Sequence, residues 1–221
     1  MGIDSLKQRL FTHLDPIASW SPEQTAAHSD FDLNPGMRPR SRQLRPAAVL
    51  VPIIEHEDGR VTVLMTRRAD TLNSHSGQVA FPGGRLDPGE DAAQAALREA
   101  FEEVALDPSQ VELIALGDPY ETGTGFLVTP VIGWLKGAPQ VKASPDEVAE
   151  VFEVPWAFLM EPTNHVRGHY DLEEGDRRYF WTMPYERHYI WGVTAGILRQ
   201  IYHRLYGDEG RPLEAVVEDA H

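Results

Sequence analysis

The chain has 221 residues, 42% of them hydrophobic, enough to enclose a sizeable core in one elaborated domain or at most two, which excludes a largely disordered polymer. Its formal net charge of -14 at pH 7, with no basic stripe along any segment, repels polyphosphate and argues against DNA or long RNA as a partner. The absence of cysteine excludes disulfides and a cysteine nucleophile, and the lack of a signal-peptide core or of any apolar run of about 18 residues excludes a helical membrane span and points to a cytoplasmic protein.

Along the chain, Ile3, Leu6, Leu10 and Leu14 recur at helical spacing and predict an amphipathic helix over residues 3–14. Residues 15–43 are rich in proline, serine and asparagine and read as an extended arm. That arm either wraps its own domain or reaches a partner subunit, which leaves a homodimer open. RPAAVLVPII (45–54) and RVTVLMTRR (60–68), joined by an EDG turn, predict a strand hairpin. VELIAL (111–116) and FLVTPVIGWL (126–135) predict two further strands around the loop GDPYETGTG. EVAEVFEVPWAFL (147–159) starts polar and turns apolar, as a loop leading into a short strand and a helix would. RRYFWTM (177–183) and RHYIW (187–191) predict a strand pair. Val193, Ile197, Ile201 and Leu205 then line one face of a helix that Gly207 stops, and residues 208–221 form an acidic tail. The class is α+β, a mixed sheet carrying helices on its faces. The division expected is an N-terminal helix and arm (1–43), a catalytic domain (44–207) and the tail (208–221).

The chemistry concentrates in GGRLDPGEDAAQAALREAFEEVAL, residues 83–106. On a helix advancing about 100° per residue, Ala93, Leu97, Ala100, Phe101 and Val104 share one arc, the expected buried face. Glu99, Glu102 and Glu103 share another, with Arg98 at ion-pair distance from Glu102. Three like charges this close repel, and a hard divalent cation relieves the repulsion while keeping positions open for phosphate oxygens. A solvated acidic face would carry the same residues. The preceding FPGGRLDPGE favours the cation: two glycines at a strand exit let the backbone approach an ion or phosphate closely. A protein of this net charge needs such neutralisation to hold an anionic substrate.

Gly84, then Glu90 after five residues, then Arg98-Glu99-Ala100-Phe101-Glu102-Glu103 after seven more, resembles the Nudix box of hydrolases acting on nucleoside diphosphates linked to another moiety. The resemblance implies a Nudix fold, a mixed β-sheet sandwiched between helices. It implies that Glu99, Glu102 and Glu103 hold Mg2+ or Mn2+, with the Gly84 carbonyl as an additional ligand. Arg98 would orient the glutamates and Glu90 brace the loop. Glu99 is one candidate for the carboxylate that activates water; Glu147 and Glu150, downstream, are the others. Ala105 stands where the family has glycine, and a left-handed conformation there would cost on the order of 1 kcal/mol.

Upstream, LMTRRADTLNSHSGQVAFPGG (64–84) is similar to the extension that marks coenzyme A pyrophosphatases, through Leu64, Thr66, Arg68, Ala69, Gly77, Phe81, Pro82, Gly83 and Gly84. Met65 replaces leucine, and Asn73 stands where that pattern has arginine, so Arg67, Arg68 and His75 are the cations left for the phosphates, with the Gly83 backbone close by. The implied reaction is hydrolysis of CoA or an acyl-CoA, without a redox cofactor. NADH, a nucleotide sugar or another diphosphate is the alternative substrate, and a non-catalytic ligand-binding module the alternative role. Trp181, Trp191, Tyr179 and Tyr189 are expected mostly in the core, with one free to stack on adenine.

Overall fold

The structure, a computed structural model, describes residues 3–39, 42–69, 77–172 and 176–207. Helix α1 (Ile3–His13) is followed by the arm, which contributes the short strand β1 (His28–Ser29). Strands β2 (Arg45–Glu55) and β3 (Val61–Arg68) form the expected hairpin, and β4 (Val79–Ala80) and β5 (Gly83–Arg85) lead into α2 (Ala92–Val104). Next come β6 (Glu112–Leu116), β7 (Tyr120–Glu121), β8 (Phe126–Lys136), β9 (Val148–Pro155) and the short helix α3 (Trp156–Leu159). Strands β10 (Val166–Asp171), β11 (Arg177–Tyr185) and β12 (His188–Trp191) make a separate antiparallel sheet, and α4 (Val193–Tyr206) closes the described chain. The sequence reading passed over β10, whose residues VRGHYD carry no clear alternation.

The main sheet is mixed, with order β1-β7-β8-β2-β3-β4 and with β5, β6 and β9 pairing β2, β8 and β3. Its spine is the parallel pair β2 and β8, in register from Arg45 opposite Phe126 to Glu55 opposite Lys136. On its other side β2 pairs β3 only through Ile53 to Glu55, and β5 only through Ala47 to Val49. The hairpin strands therefore splay, and β5 occupies the gap at the N-terminal end of β2. Apolar side chains fill both sheet faces. One cluster sets Leu50, Ile54, Leu64 and Val131 against the alanines of α2; the other sets Val51, Ile53, Val63 and Ile132 against α1 and α4.

Helix α2 starts at a capping box. The Asp91 carboxylate accepts from Gln94 N–H at 2.8 Å, and the Gln94 side chain accepts from Asp91 N–H at 2.9 Å. It buries Ala92, Ala93, Ala95, Ala96, Ala100, Glu103 and Val104. Two expectations are corrected here. Phe101 is 56% exposed, and Glu103, placed on the open carboxylate arc, is only 4% exposed. The short alanines turn the helix so that the stripe from Ala92 through Ala96 to Glu103 faces the sheet, which rotates Phe101 outward. The helix ends at Ala105 in the left-handed conformation (φ 53°, ψ 29°), where its N–H reaches the carbonyls of Ala100 and Phe101.

The arm lies along its own chain. Asp15 and Leu116 exchange two backbone hydrogen bonds, β1 runs parallel to β7, and the Asn34 side chain bonds the Tyr179 backbone in both directions at 2.8 Å. Arg38 and Arg42 both pair with the buried Glu121. Leu6, Leu10 and Leu14 enter the same core cluster as Ile197, Ile201 and Leu205 of α4. Gly207 does follow α4, in a right-handed rather than a left-handed conformation. Ala105 carries the strain that glycine would remove: Ala105→Gly is expected to stabilise the protein by about 1 kcal/mol and the β-branched Ala105→Val to destabilise it, both read from urea denaturation midpoints.

Candidate active site

The site begins with two glycines in β5. A Cβ on Gly83 would overlap the Ala48 carbonyl and Val49 of β2, and one on Gly84 would overlap the Glu99 carboxylate. At Gly83 only bare backbone fits against β2, while at Gly84 a side chain would displace the Glu99 carboxylate. Gly83 N–H consequently reaches Glu103 Oε2 at 3.2 Å, and Glu99 lies against Gly84.

Arg98 ties the preceding loop to the helix. Its Nε and Nη2 donate to the two Glu90 oxygens at 2.8 and 3.0 Å, and Nη2 also donates to the Arg85 carbonyl at 3.0 Å. Its Nη1 donates to Glu99 at 3.0 Å and Glu102 at 3.1 Å. These bonds hold the Glu90 carboxyl below the usual range, chiefly through Arg98, and hold Arg98 above its own, chiefly through Glu90. Glu99 is pushed up by burial against the pull of Arg98. Glu103 rises furthest, to about 7, by burial first and then by the charges of Glu99 and Glu147, opposed by Gly83 N–H and Arg68.

The other predicted residues separate by sheet face. Along β3, Val63 and Met65 point into one core cluster and Leu64 into the other, so Arg67 and Arg68 diverge. Arg68 Nη1 lies 3.9 Å from Glu103, whereas Arg67 lies 3.9 Å from Glu150 on the opposite face. Glu150 also pairs with Arg187 and His188, and Arg187 above all holds its carboxyl low. Glu147 belongs to the side of Glu99 and Glu103. Its loop is anchored where Ser144 and Lys142 N–H groups cap the Glu103 and Val104 carbonyls and where its own carbonyl accepts from Ala69 N–H. Glu102 stays exposed on Arg98. His75 and Asn73 lie outside the described residues.

Among the described residues no three acidic or histidine groups already converge as a ready ligand set. The donors still fit a hard divalent cation. Glu103 is a buried carboxylate with an unfavourable field, Glu99 sits in a cradle that a Cβ on Gly84 would fill, and all the donors are oxygens, the type that Mg2+ and Mn2+ take.

A model described as the NUDIX domain matches residues 44–174, and the chain belongs to the Nudix family of hydrolases, which act on pyrophosphate-containing substrates and generally use divalent metal ions. The chain is 41% identical over 173 residues to a Nudix hydrolase NudL of Escherichia coli K12 and 42% identical over 172 residues to one of Citrobacter koseri, both described as uncharacterised. Each alignment covers 76% of this chain and 87% of the relative. A solved Caenorhabditis elegans Ap4A hydrolase complex is 25% identical, with a TM-score of 0.43 over 48% of this chain and 77% of that one. Among the described residues no helix is long and apolar enough to cross a membrane.

Burying Glu103 opposes folding until its charge is compensated. In chelator-treated protein, Glu103→Gln keeps an acceptor for Gly83 N–H and removes the repulsion. It is expected to raise stability by on the order of 2 kcal/mol, measured by thermal or urea unfolding with EDTA present.

Proposed function

We propose that the protein hydrolyses the diphosphate of coenzyme A or an acyl-CoA to 3',5'-ADP and 4'-phosphopantetheine or its acyl form. The observation that carries this reading is the pattern Leu64, Thr66, Arg68, Ala69, Gly77 and Phe81–Gly84, similar to that of CoA pyrophosphatases. In support, Gly77 takes a left-handed φ of 70° to return the chain into β4, and Arg68 projects from the end of β3 toward Glu103. A cation there meets a diphosphate held beside the carboxylates.

Glu99, Glu102, Glu103 and the Gly84 carbonyl would hold Mg2+ or Mn2+, which when bound neutralises the diphosphate and makes water a better nucleophile. Arg98 presents Glu99 and Glu102 while its contacts to Glu90 and Arg85 keep the loop against the helix. Arg68 neutralises a diphosphate oxygen, and the Gly83 backbone lets the substrate come close. Water oxygen bonds to one phosphorus, the bridging P–O bond breaks, and the water proton passes to Glu147. Glu147 suits that role because its loop is tied to the end of α2 and, among the described residues, it stands in no ion pair. Glu150 is held by Arg187, His188 and Arg67 on the opposite face.

Replacing Glu147 by glutamine should lower kcat by about 10²-fold or more with a smaller change in KM, while Glu150→Gln stays within a few-fold; steady-state kinetics on the same substrate decide. Purified protein with CoA and Mg2+ or Mn2+ should release 3',5'-ADP, followed by chromatography, and Glu103→Gln should abolish the release. Turnover of NADH or a nucleotide sugar with no product from CoA would replace CoA as the substrate.

A further inference from the structure

A cavity of about 250 Å3 opens between the arm, β11, β12 and the start of α4. Pockets that enclose whole small ligands run to roughly 300–1,000 Å3, so this one suits one end of a longer molecule. Phe180 and Trp191 line it with their rings 5.2 Å apart, edge to face, and Tyr170 continues the aromatic wall 5.9 Å from Phe180. Asp30 of the arm also lines it. Its Oδ1 accepts from the Tyr120 hydroxyl at 3.1 Å and its Oδ2 from Gly123 N–H at 2.6 Å. Those two bonds hold the carboxylate still and leave lone pairs for another donor.

The cavity adjoins the catalytic side through Gln78. Gln78 lines it, and its carbonyl accepts from the N–H of Arg68, the residue beside Glu103. Asp30, Arg178, Phe180 and Trp191 all fall outside the residues 44–174 that carry the family match. The chemistry of the lining selects among the parts of a diphosphate ester. A free phosphate would face two carboxylates, Asp30 and Asp32, against one lining cation, Arg178, whose charge already acts on Asp30. A flexible amide chain offers no π face to the rings. A planar heterocycle bearing an amino group uses both features, stacking on the aromatic wall and donating to Asp30.

We propose that this cavity receives the adenine base of the substrate, stacked against Phe180 and Trp191 with its exocyclic amino group donating to Asp30. The arm and the C-terminal elements thus supply recognition for the hydrolytic site that β5 and α2 provide. This rests on the reading of the substrate as an adenine-bearing diphosphate, and its test is independent of turnover.

Trp181 and Trp191 both line the cavity and report on it. In full-length protein with EDTA, AMP should quench tryptophan fluorescence saturably, inosine monophosphate should bind about tenfold more weakly for want of the amino group, and ribose 5-phosphate should not bind. Asp30→Asn should weaken AMP by a similar factor. Phe180→Leu provides a second variant if the first fails to fold, as checked by circular dichroism. Absence of saturable quenching by AMP, equal binding of AMP and inosine monophosphate, or stronger quenching by 4'-phosphopantetheine overturns the proposal. If CoA is not hydrolysed yet AMP binds as described, the CoA reading falls and the cavity assignment stands. If CoA is hydrolysed and both variants keep the wild-type KM and AMP does not bind, the assignment falls alone.

Discussion

Everything at the candidate site depends on how closely β5 can lie against its neighbours. β2 and β3 splay apart, and the gap is filled by a strand whose first residue cannot carry a side chain without striking the Ala48 carbonyl. Backbone collisions are not relieved by a rotamer change, so Gly83 is required for the packing itself. Gly84 acts differently. A side chain there would meet the Glu99 carboxylate, a movable group, so its lack of a Cβ determines where that carboxylate rests. The alanine stripe of α2 is the counterpart on the helix, since larger residues at 92, 95 and 96 would lift the glutamates off the strand.

Close packing of this kind concentrates negative charge, and Arg98 is the device that keeps it tolerable. A single guanidinium bonds Glu90, Glu99, Glu102 and the Arg85 carbonyl, so loop and helix are held by the same group that balances two of the carboxylates. Glu103 lies beyond its reach and, among the described residues, has a backbone N–H and the more distant Arg68. That imbalance makes Glu103 the least compensated carboxylate of the helix. A chain of net charge -14 retains a buried, poorly compensated carboxylate at the place where a cation would do the most to neutralise a diphosphate.

The sequence made the Nudix segment legible because its constraints are local: glycines, a turn, a cap and charged residues at helical spacing all fall within residues 83–106. It misjudged part of the buried face of α2: Ala93, Ala100 and Val104 are buried and Leu97 packs against the core as expected, but Phe101 looked like a better core residue than Ala92, Ala95 and Ala96. Hydrophobicity favoured the larger side chains, whereas the splayed sheet has room only for a close helix. The faces taken by Glu147 and Glu150 were illegible because the β-bulge between Arg67 and Arg68 shifts the register of β9 at that point. Asp30 and Phe180 are brought to one cavity by pairings of the arm with β7 and β11, and no local pattern in a proline-rich arm marks a residue for that placement.

This difference in legibility follows from what each part has to do. On the proposed reading, hydrolysis draws on carboxylates that one helix supplies through its own periodicity, so those residues remain contiguous in the chain. Recognition of a particular group needs a cavity whose walls differ in character, with rings on one side and a carboxylate on another, and no single element offers both. The cavity near Gln78 accordingly draws Asp30 from the arm before the matched domain, Gln78, Tyr120 and Tyr170 from within it, and Arg178, Phe180 and Trp191 from beyond it. If the cavity holds the base as proposed, substitutions in those flanks alter which diphosphate is accepted without touching Gly84, Arg98 or the three glutamates. The residues to compare when relating sequence to substrate are then Asp30, Arg178, Phe180 and Trp191 rather than the box that identifies the family.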